Sequence, residues 1–145
     1  MATKPFNNVE VREIIAFNKE ALEAEGQRQG AYSIATLEFV VEKFERKYST
    51  ASTRESLAGI CATAIYDIAH RDGRHPFYDG NKRTALLTMQ ALLGLNGFRL
   101  AYTKRSAKMM LKKAACGKIF HRQIGEWISK RMTEVSNGGL KNGIK

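Results

Sequence analysis

Proline, cysteine and long apolar runs are scarce in this chain. The 145 residues include two prolines, Pro5 and Pro76, so little interrupts helix formation. The two cysteines, Cys61 and Cys116, form neither a disulfide framework nor the paired spacing of a zinc site, and we expect both to be small core residues. No run of about 18 apolar residues could span a bilayer, and no early apolar run is typical of a signal peptide. These absences favour a reduced, cytoplasmic protein.

Acidic residues are scarce in the last third of the chain. Residues 1–98 contain 12 Lys or Arg and 12 Asp or Glu, whereas residues 99–145 contain 12 Lys or Arg and only Glu126 and Glu134. The formal charge of +10 therefore comes from this last third. Such a surface attracts an acidic partner, either a protein segment or a nucleic acid. It is equally consistent with a solvated basic face that keeps a small protein soluble.

Apolar residues at helical spacing dominate the chain and predict an all-α single domain. The predicted helices cover residues 8–24, 37–48, 52–70, 84–95, 103–115 and 122–132. A capping box at Ser52–Glu55 opens the third of these helices. The fourth is apolar almost all round, which is typical of the central, buried helix of a bundle.

Glycines and a change of spacing mark the ends of the later elements. Gly97 and Gly117 are good left-handed caps after the fourth and fifth helices. Phe98–Tyr102 is predicted to be a short extended link. Three glycines in residues 136–145 predict a flexible tail, which leaves one domain over residues 1–135.

The most informative stretch is HPFYDGNKR, residues 75–83, which ends where the fourth helix begins. A helix N-terminus carries roughly half a positive charge, so a cation there costs about 0.3–1 kcal/mol. Lys82 and Arg83 nevertheless stand at that position. We infer that an anion from outside the chain accounts for them.

The residues of this stretch suit a nucleotide's phosphates. Backbone N–H groups at a helix N-terminus bind anions, and Gly80 lets the backbone approach a ligand closely. Asn81 can cap the helix or donate to an oxygen, and the two cations add charge suited to phosphate. Asp79 offers hard oxygen ligands for a magnesium ion, and His75 is a base at neutral pH. Together they predict phosphoryl-type transfer.

Each of these side chains also has a simpler interpretation. Asp79 caps the helix, as Asp commonly does. His75 is a hydrogen-bonded loop histidine, and Lys82 and Arg83 are solvated. Phe77 is a core anchor in either case. These interpretations do not explain the order of the residues or the misplaced cations.

HPFYDGNKR also resembles the Fic/Doc signature, HPFx[DE]GN[GK]R, and specifically its death-on-curing (Doc) branch, in which Lys follows Asn. The segment KIFHRQIGEWI, residues 118–128, is similar to the closing helix of that family. The resemblance extends over roughly residues 5–132. It implies the Fic fold, a compact helical bundle around a central buried helix.

The resemblance also implies a role for each residue of the motif. His75 would be the general base that deprotonates a target hydroxyl, Asp79 would bind Mg²⁺, and Phe77 would anchor the loop in the core. Residues 26–33 would occupy the place of the flap that aligns a target peptide. The anion hole for the phosphates of ATP would be formed by Gly80, Asn81, Lys82 and Arg83.

Two positions depart from the family members that transfer AMP. Those proteins have Gly at the position of Lys82 and a second Arg at the position of Leu86. The departures imply that ATP binds in the reversed orientation, with its γ-phosphate beside His75, as in Doc-like toxins that act as kinases. The implied substrate is a Ser or Thr hydroxyl on a translation factor such as elongation factor Tu, with inhibition of translation as the result.

The family's autoinhibitory pattern, [ST]xxxE[GN], is incomplete in this chain. Glu25-Gly26 fits its end, but Ala21 stands where Ser or Thr is required. We therefore expect no inhibition in cis and a separate antitoxin as the regulator. An acidic amphipathic segment of that antitoxin would dock on the basic last third, where a helical face carries Arg105, Lys108 and Lys112.

Three alternatives remain open. The same site could transfer AMP or another nucleotide instead of phosphate. The basic last third could form a helical nucleic-acid-binding module, although we expect a protein partner there. A metal-dependent phosphohydrolase could use His70, Asp72, His75 and Asp79, but the sequence lacks an adjacent His-Asp pair and enough ligands for it.

Overall fold

A computed structural model describes residues 6–47, 53–70 and 75–135 of the chain. Within these ranges it contains helices and two short strands. They are α1 (Val11–Glu23), α2 (Ile34–Lys47), α3 (Arg54–Ala69), α4 (Asn81–Leu95), β1 (Phe98–Leu100), α5 (Lys104–Ala115), α6 (His121–Ser129) and β2 (Met132–Glu134). The prediction of an all-α fold is confirmed. No helix within the described ranges has the length and apolar composition needed to cross a membrane.

The central helix of the bundle is α3, and the prediction that α4 holds this place is wrong. Helix α3 packs against α2, α4, α5 and α6, and ten of its 16 residues are buried. Helix α4 buries seven of 15 and leaves Leu95 exposed. The small residues of α3 explain the difference, because they let neighbours approach from several sides. At one such point Ala62 faces Gly125 of α6.

The two cysteines have different environments. Cys61 lies in α3 and is fully buried, and burial raises the pKa of its thiol. It therefore acts as a small apolar core residue, as predicted. Cys116 follows the last turn of α5 and is exposed, so its assignment to the core is wrong.

Side-chain caps fix the starts of α3 and α5. The N-cap of α3 is Thr53, whose Oγ1 accepts the Ser56 N–H at 3.0 Å. The predicted box began one residue earlier, at Ser52, which lies outside the described residues. Thr103 caps α5 in the same way by accepting the Ser106 N–H at 3.1 Å.

The C-terminal end of the described chain contains a strand that the sequence did not predict. Helix α6 ends at Ser129, and β2 pairs antiparallel with β1, with Met132 opposite Leu100. The guanidinium of Arg54 donates to the carbonyls of Ser129, at 2.5 Å, and Met132, at 2.6 Å. These long-range hydrogen bonds hold the chain where the helix was expected to continue. The predicted tail, residues 136–145, lies outside the described residues.

Candidate active site

In the described part of the chain, neither a side-chain cap nor a first-turn acid pairs with the positive N-terminal end of α4. Its N-cap is Gly80, which offers no side chain, and the first turn has no acidic residue. The N–H groups of Asn81, Lys82 and Arg83 meet no acceptor in the described part of the chain. Unpaired N–H groups and the helix dipole point in the same direction, which is the arrangement in which a helix end can bind an anion.

The side chain of Asn81 holds the motif loop together. Its Oδ1 accepts the Phe77 N–H at 3.1 Å, and its Nδ2 donates to the Phe77 carbonyl at 2.8 Å. Asn81 is buried, so these bonds leave only its backbone N–H to face a ligand. This differs from the ligand contact that the sequence analysis allowed for its side chain. Phe77 itself is buried in the core, where the ring of Tyr32 lies 6.1 Å from its own.

Gly80 is required for a reason that the sequence analysis missed. Its φ of +77° is left-handed, which favours glycine. A Cβ built on it would lie 3.0 Å from Nδ2 of Asn18 and 3.3 Å from Cδ2 of Leu22, both on α1. The space beside Gly80 is therefore taken by α1 rather than by a ligand.

Asp79 is exposed, and only one of its two carboxylate oxygens has a hydrogen-bond partner in the described chain. Its Oδ1 accepts the Gly80 N–H at 2.7 Å, which is a local turn contact rather than a helix cap. Within the described ranges no three His, Cys, Asp or Glu residues form a metal cluster. Magnesium usually binds through one or two carboxylates, phosphates and water, so a single carboxylate beside an anion site fits it.

His75 has an unpaired ring nitrogen. Its Nε2 is sealed from solvent and has no hydrogen-bond partner among the residues that the structure describes. A buried nitrogen without a partner is unfavourable, which is unlike the satisfied loop histidine of the simpler interpretation.

The guanidinium of Arg83 already has hydrogen-bond and ion-pair partners within the chain. Its Nη1 donates to the carbonyl of Ala21 at 2.7 Å, and its Nη2 lies 2.8 Å from Oε1 of Glu25. Glu25 is the acid that fits the end of the incomplete autoinhibitory pattern, and the absence of inhibition in cis stays a prediction. The two side chains are 42% and 55% exposed, so the pair contributes only about 0–1 kcal/mol. A phosphate could therefore displace Glu25, and Lys82 already lies exposed without a partner in the described chain.

Residues 26–33, between α1 and α2, lie against the motif loop and are called the flap below. The N–H of Ser33 donates to the carbonyl of Pro76 at 2.9 Å, and that of Tyr78 donates to Ala31 at 3.1 Å. Close packing supports this bridge, because a Cβ on Gly30 would lie 3.3 Å from Cβ of Tyr78. The flap is therefore docked on the motif loop through its backbone.

Two residues near this loop escaped the sequence analysis. Asn18 on α1 and Gln29 in the flap are hydrogen-bonded to each other, and Asn18 also contacts the motif loop. A signal for Asn18 exists in the sequence. It is a polar residue on the apolar face of α1, one turn from both Ile14 and Leu22, and it is 1% exposed. Gln29 carries no comparable signal.

The alternative metal site is not assembled by the described residues. Asp72 lies outside them. The ring of His70 stacks on that of Tyr66 at a centroid distance of 4.3 Å, and its Nε2 lies 3.5 Å from the Tyr66 hydroxyl.

Comparison with known proteins gives two findings. The sequence model of the Fic/DOC family matches residues 8–93. Among solved structures, the chain is similar to the N-terminal Fic domain of a protein from Bartonella quintana, described as a cell filamentation protein and a VirB-translocated Bep effector. The identity is 18% and the TM-score 0.56, over 86% of this chain and 58% of that one. At this identity the likeness shows the fold alone. No curated protein matches the sequence.

Proposed function

The chain belongs to the Fic/DOC family, and from this premise we propose that it is a Doc-like kinase. It transfers the γ-phosphoryl group of ATP to a Ser or Thr hydroxyl of a protein. Its role is that of the toxin in a toxin–antitoxin pair, and its substrate is a translation factor such as elongation factor Tu. One observation carries the proposal: among the described residues, α4 begins with three N–H groups that meet no acceptor, no acid in its first turn and a Lys82 ammonium without a partner.

The anion site would bind the phosphates of ATP. Phosphate oxygens would accept the N–H groups of Asn81, Lys82 and Arg83, and the ammonium of Lys82 would add a charge-assisted contact. Asp79 would hold Mg²⁺, which neutralises charge on the phosphates when it is bound. The Arg83 guanidinium is available once a phosphate replaces Glu25, because that ion pair is half exposed.

His75 would move the proton. The target hydroxyl gives its proton to the ring of His75 while its oxygen forms a bond to the γ-phosphorus. The bond from that phosphorus to the bridging oxygen breaks, and ADP leaves with the electron pair. A positioned base of this kind contributes typically 10²–10⁴-fold to the rate.

Two side chains favour transfer of the γ-phosphoryl over transfer of AMP. Lys82 puts bulk and charge at the helix end where AMP-transferring members have Gly. Leu86 is a partly buried side chain packed against the core, so this position offers no guanidinium. Without that second Arg, the terminal phosphates lack a ligand in the AMP-transfer orientation.

The position of the transferred label tests the proposal. The protein is incubated with Mg²⁺, a translating extract and ATP labelled at either the α or the γ phosphate. We expect only the γ label on a protein product, and none with the His75→Ala variant. Transfer of the α label in a His75-dependent manner would show that the chain transfers AMP, and no transfer of either label would contradict the enzyme assignment.

We also propose that the antitoxin docks in the groove between α5 and α6. This cavity of about 490 Å³ has an apolar floor that includes Met110 and Trp127, and cations at its rim. Within the described chain, none of the cations after residue 98 forms an ion pair. An acidic amphipathic segment complements both features, whereas Arg131 covers the indole of Trp127 at 4.3 Å and leaves little ring face for a nucleic-acid base.

The groove changes the set of residues expected to bind the antitoxin. Arg105 lines it together with Lys113, whereas Lys108 and Lys112 are exposed on α5 outside the groove. Of the three cations predicted to bind the antitoxin, this proposal therefore keeps Arg105 only. Reversal of Arg105 and Lys113 to Glu should slow antitoxin association more than reversal of Lys108 and Lys112, because charges at a docking site raise the association rate. Stopped-flow measurements at two salt concentrations decide this, and equal effects of the two pairs would contradict the groove assignment.

A further inference from the structure

A buried hydrogen-bond network connects α1, the flap and the motif loop through Asn18. Its Nδ2 donates to the carbonyl of Asp79 at 2.8 Å and to Oγ1 of Thr84 at 3.0 Å. Its Oδ1 accepts from Nε2 of Gln29 at 3.0 Å. The same Nε2 donates to the carbonyl of Ile15 at 2.9 Å, which ties the flap to α1.

The chemistry of the partners fixes how Asn18 is oriented. A backbone carbonyl can only accept, so the amide nitrogen of Asn18 must face Asp79 and its oxygen must face Gln29. The glycine at position 80 makes this approach possible, because a Cβ there would lie 3.0 Å from the Asn18 nitrogen. The left-handed turn of the motif and the polar side chain on α1 are therefore matched to each other.

The hydrogen bond from Asn18 to the Asp79 carbonyl also fixes the direction of the Asp79 carboxylate, because the two are connected by one planar peptide group. The carbonyl of residue 79 and the N–H of Gly80 belong to the same planar group and point in opposite directions. Asn18 holds the carbonyl, so the Gly80 N–H is held as well. That N–H donates to Oδ1 of Asp79 at 2.7 Å and thereby sets the direction of the carboxylate.

We propose that Asn18 and Gln29 are positioning residues of the active site. Asn18 aims the Asp79 carboxylate and the first turn of α4 through the Asp79–Gly80 peptide. Gln29 couples that arrangement to the flap, whose docking is completed by the bridge from Ser33 and Tyr78 to the opposite backbone. The proposal rests on the proposed function, since the carboxylate it aims is the one assigned to Mg²⁺.

The first test uses Asn18→Asp, which keeps the shape of the side chain and removes both donors. We expect the Mg²⁺ concentration needed for half-maximal ATP binding to rise 10–100-fold, the usual loss when the support of a metal ligand is removed. Thr88→Val is the matched control, because Thr88 is equally buried and donates only to the Thr84 carbonyl at 2.8 Å. Its Mg²⁺ dependence should stay within about twofold of wild type.

The second test uses Gln29→Ala, which lies at a partly buried flap position and leaves Asn18 in place. Hydrogen exchange at the amides of Ser33 and Tyr78 reports flap docking directly, because these two N–H groups form the bridge. We expect their exchange to accelerate about tenfold or more, while amides in the middle of α3 stay protected. This measurement needs no activity, so it tests the coupling of the flap even if Asn18→Asp does not fold.

The outcomes distinguish a failure of the proposed function from a failure of the positioning roles of Asn18 and Gln29. A wild-type protein that does not bind ATP with Mg²⁺ would overturn the proposed function. Wild-type binding with an unchanged Mg²⁺ dependence in folded Asn18→Asp would overturn the positioning role of Asn18 alone. Unchanged exchange at Ser33 and Tyr78 in Gln29→Ala would overturn the coupling of the flap.

Discussion

Helices α4 and α5 begin alike in sequence and differently in structure. Each opens with two cations, Lys82–Arg83 in α4 and Lys104–Arg105 in α5, and neither has an acid in its first turn. The side chain of Thr103 caps α5, whereas Gly80 offers α4 no cap. Misplaced cations alone therefore do not identify an anion site, and the two helix starts differ in that α4 lacks the side-chain cap that α5 has.

The two helix starts also differ in their surroundings. The start of α4 lies between the flap, α1 and the motif loop, where buried polar contacts reach Asp79 and Gly80. At α5, Arg105 lines an open groove, and Lys104 is exposed. If the difference has functional meaning, equivalent changes at the two helices should have different consequences.

The largest expected difference concerns His75, which precedes α4. His75→Ala should lower the rate of transfer by about 10²–10⁴, because it removes the proposed base and leaves the proposed phosphate site in place. Quantified γ-label transfer, with circular dichroism to verify folding, measures this. Lys104→Ala at the start of α5 is the control and should retain the wild-type rate. A folded His75→Ala variant with full activity would remove the catalytic distinction between the two regions.

Lys82 and Lys104 form a matched pair of exposed lysines. Lys82→Ala should weaken ATP binding about 10- to 100-fold, since a hydrogen bond to a charged group contributes about 1.5–3 kcal/mol. Lys104→Ala should leave ATP affinity unchanged. Calorimetric titration of both variants gives the ratio, and equal losses would show that charge attraction at long range, rather than the helix end, binds the nucleotide.

Thr103→Ala would make the start of α5 resemble that of α4. Loss of an N-cap costs about 1 kcal/mol of unfolding free energy. Urea unfolding of the variant should reveal this loss, with ATP affinity unaffected. Tighter binding of ATP or phosphate to Thr103→Ala would mean that an uncapped end beside two cations is a sufficient site, and that the motif loop adds little.

The smallest expected effect is at Glu25. Glu25→Gln removes the ion pair with Arg83 and leaves the guanidinium free for phosphate. Because that pair is half exposed and contributes about 0–1 kcal/mol, ATP affinity should rise by no more than about fivefold. Titration at low and high salt measures the change. Weaker ATP binding in this variant would show that Glu25 supports the site instead of competing with phosphate.

The local features of this protein were predictable because they depend on neighbouring residues. The buried face of α3, the cap at Thr103 and the left-handed glycines at positions 97 and 117 all follow from spacing and side-chain chemistry. The motif loop was equally visible, since its residues are consecutive. The reason for its glycine was only partly predictable, because Gly80 is also constrained by Asn18, 62 residues earlier in the chain.

The features that escaped prediction depend on distant partners. Strand β2 forms where the chain after α6 pairs with β1 and accepts hydrogen bonds from Arg54. No local sequence pattern predicts either contact. Helix α4 looked more buried than α3 because its leucines are larger, yet the alanines of α3 decide which helix the others surround. The contact of Glu25 with Arg83 depends on how α1 ends beside α4.

The uncapped start of α4 also bears on how long the molecule survives in a cell. A glycine N-cap such as Gly80 forgoes roughly a few tenths of a kcal/mol of folding free energy relative to a Ser, Thr, Asn or Asp cap. If nucleotide occupies this end, it stabilises the native state by mass action, by about 2.7 kcal/mol at a concentration one hundred times its dissociation constant. The nucleotide then protects the protein from unfolding as well as serving as its substrate. A fall in nucleotide supply would enlarge the unfolded fraction that proteases remove, so the abundance of the protein would follow the energy state of the cell.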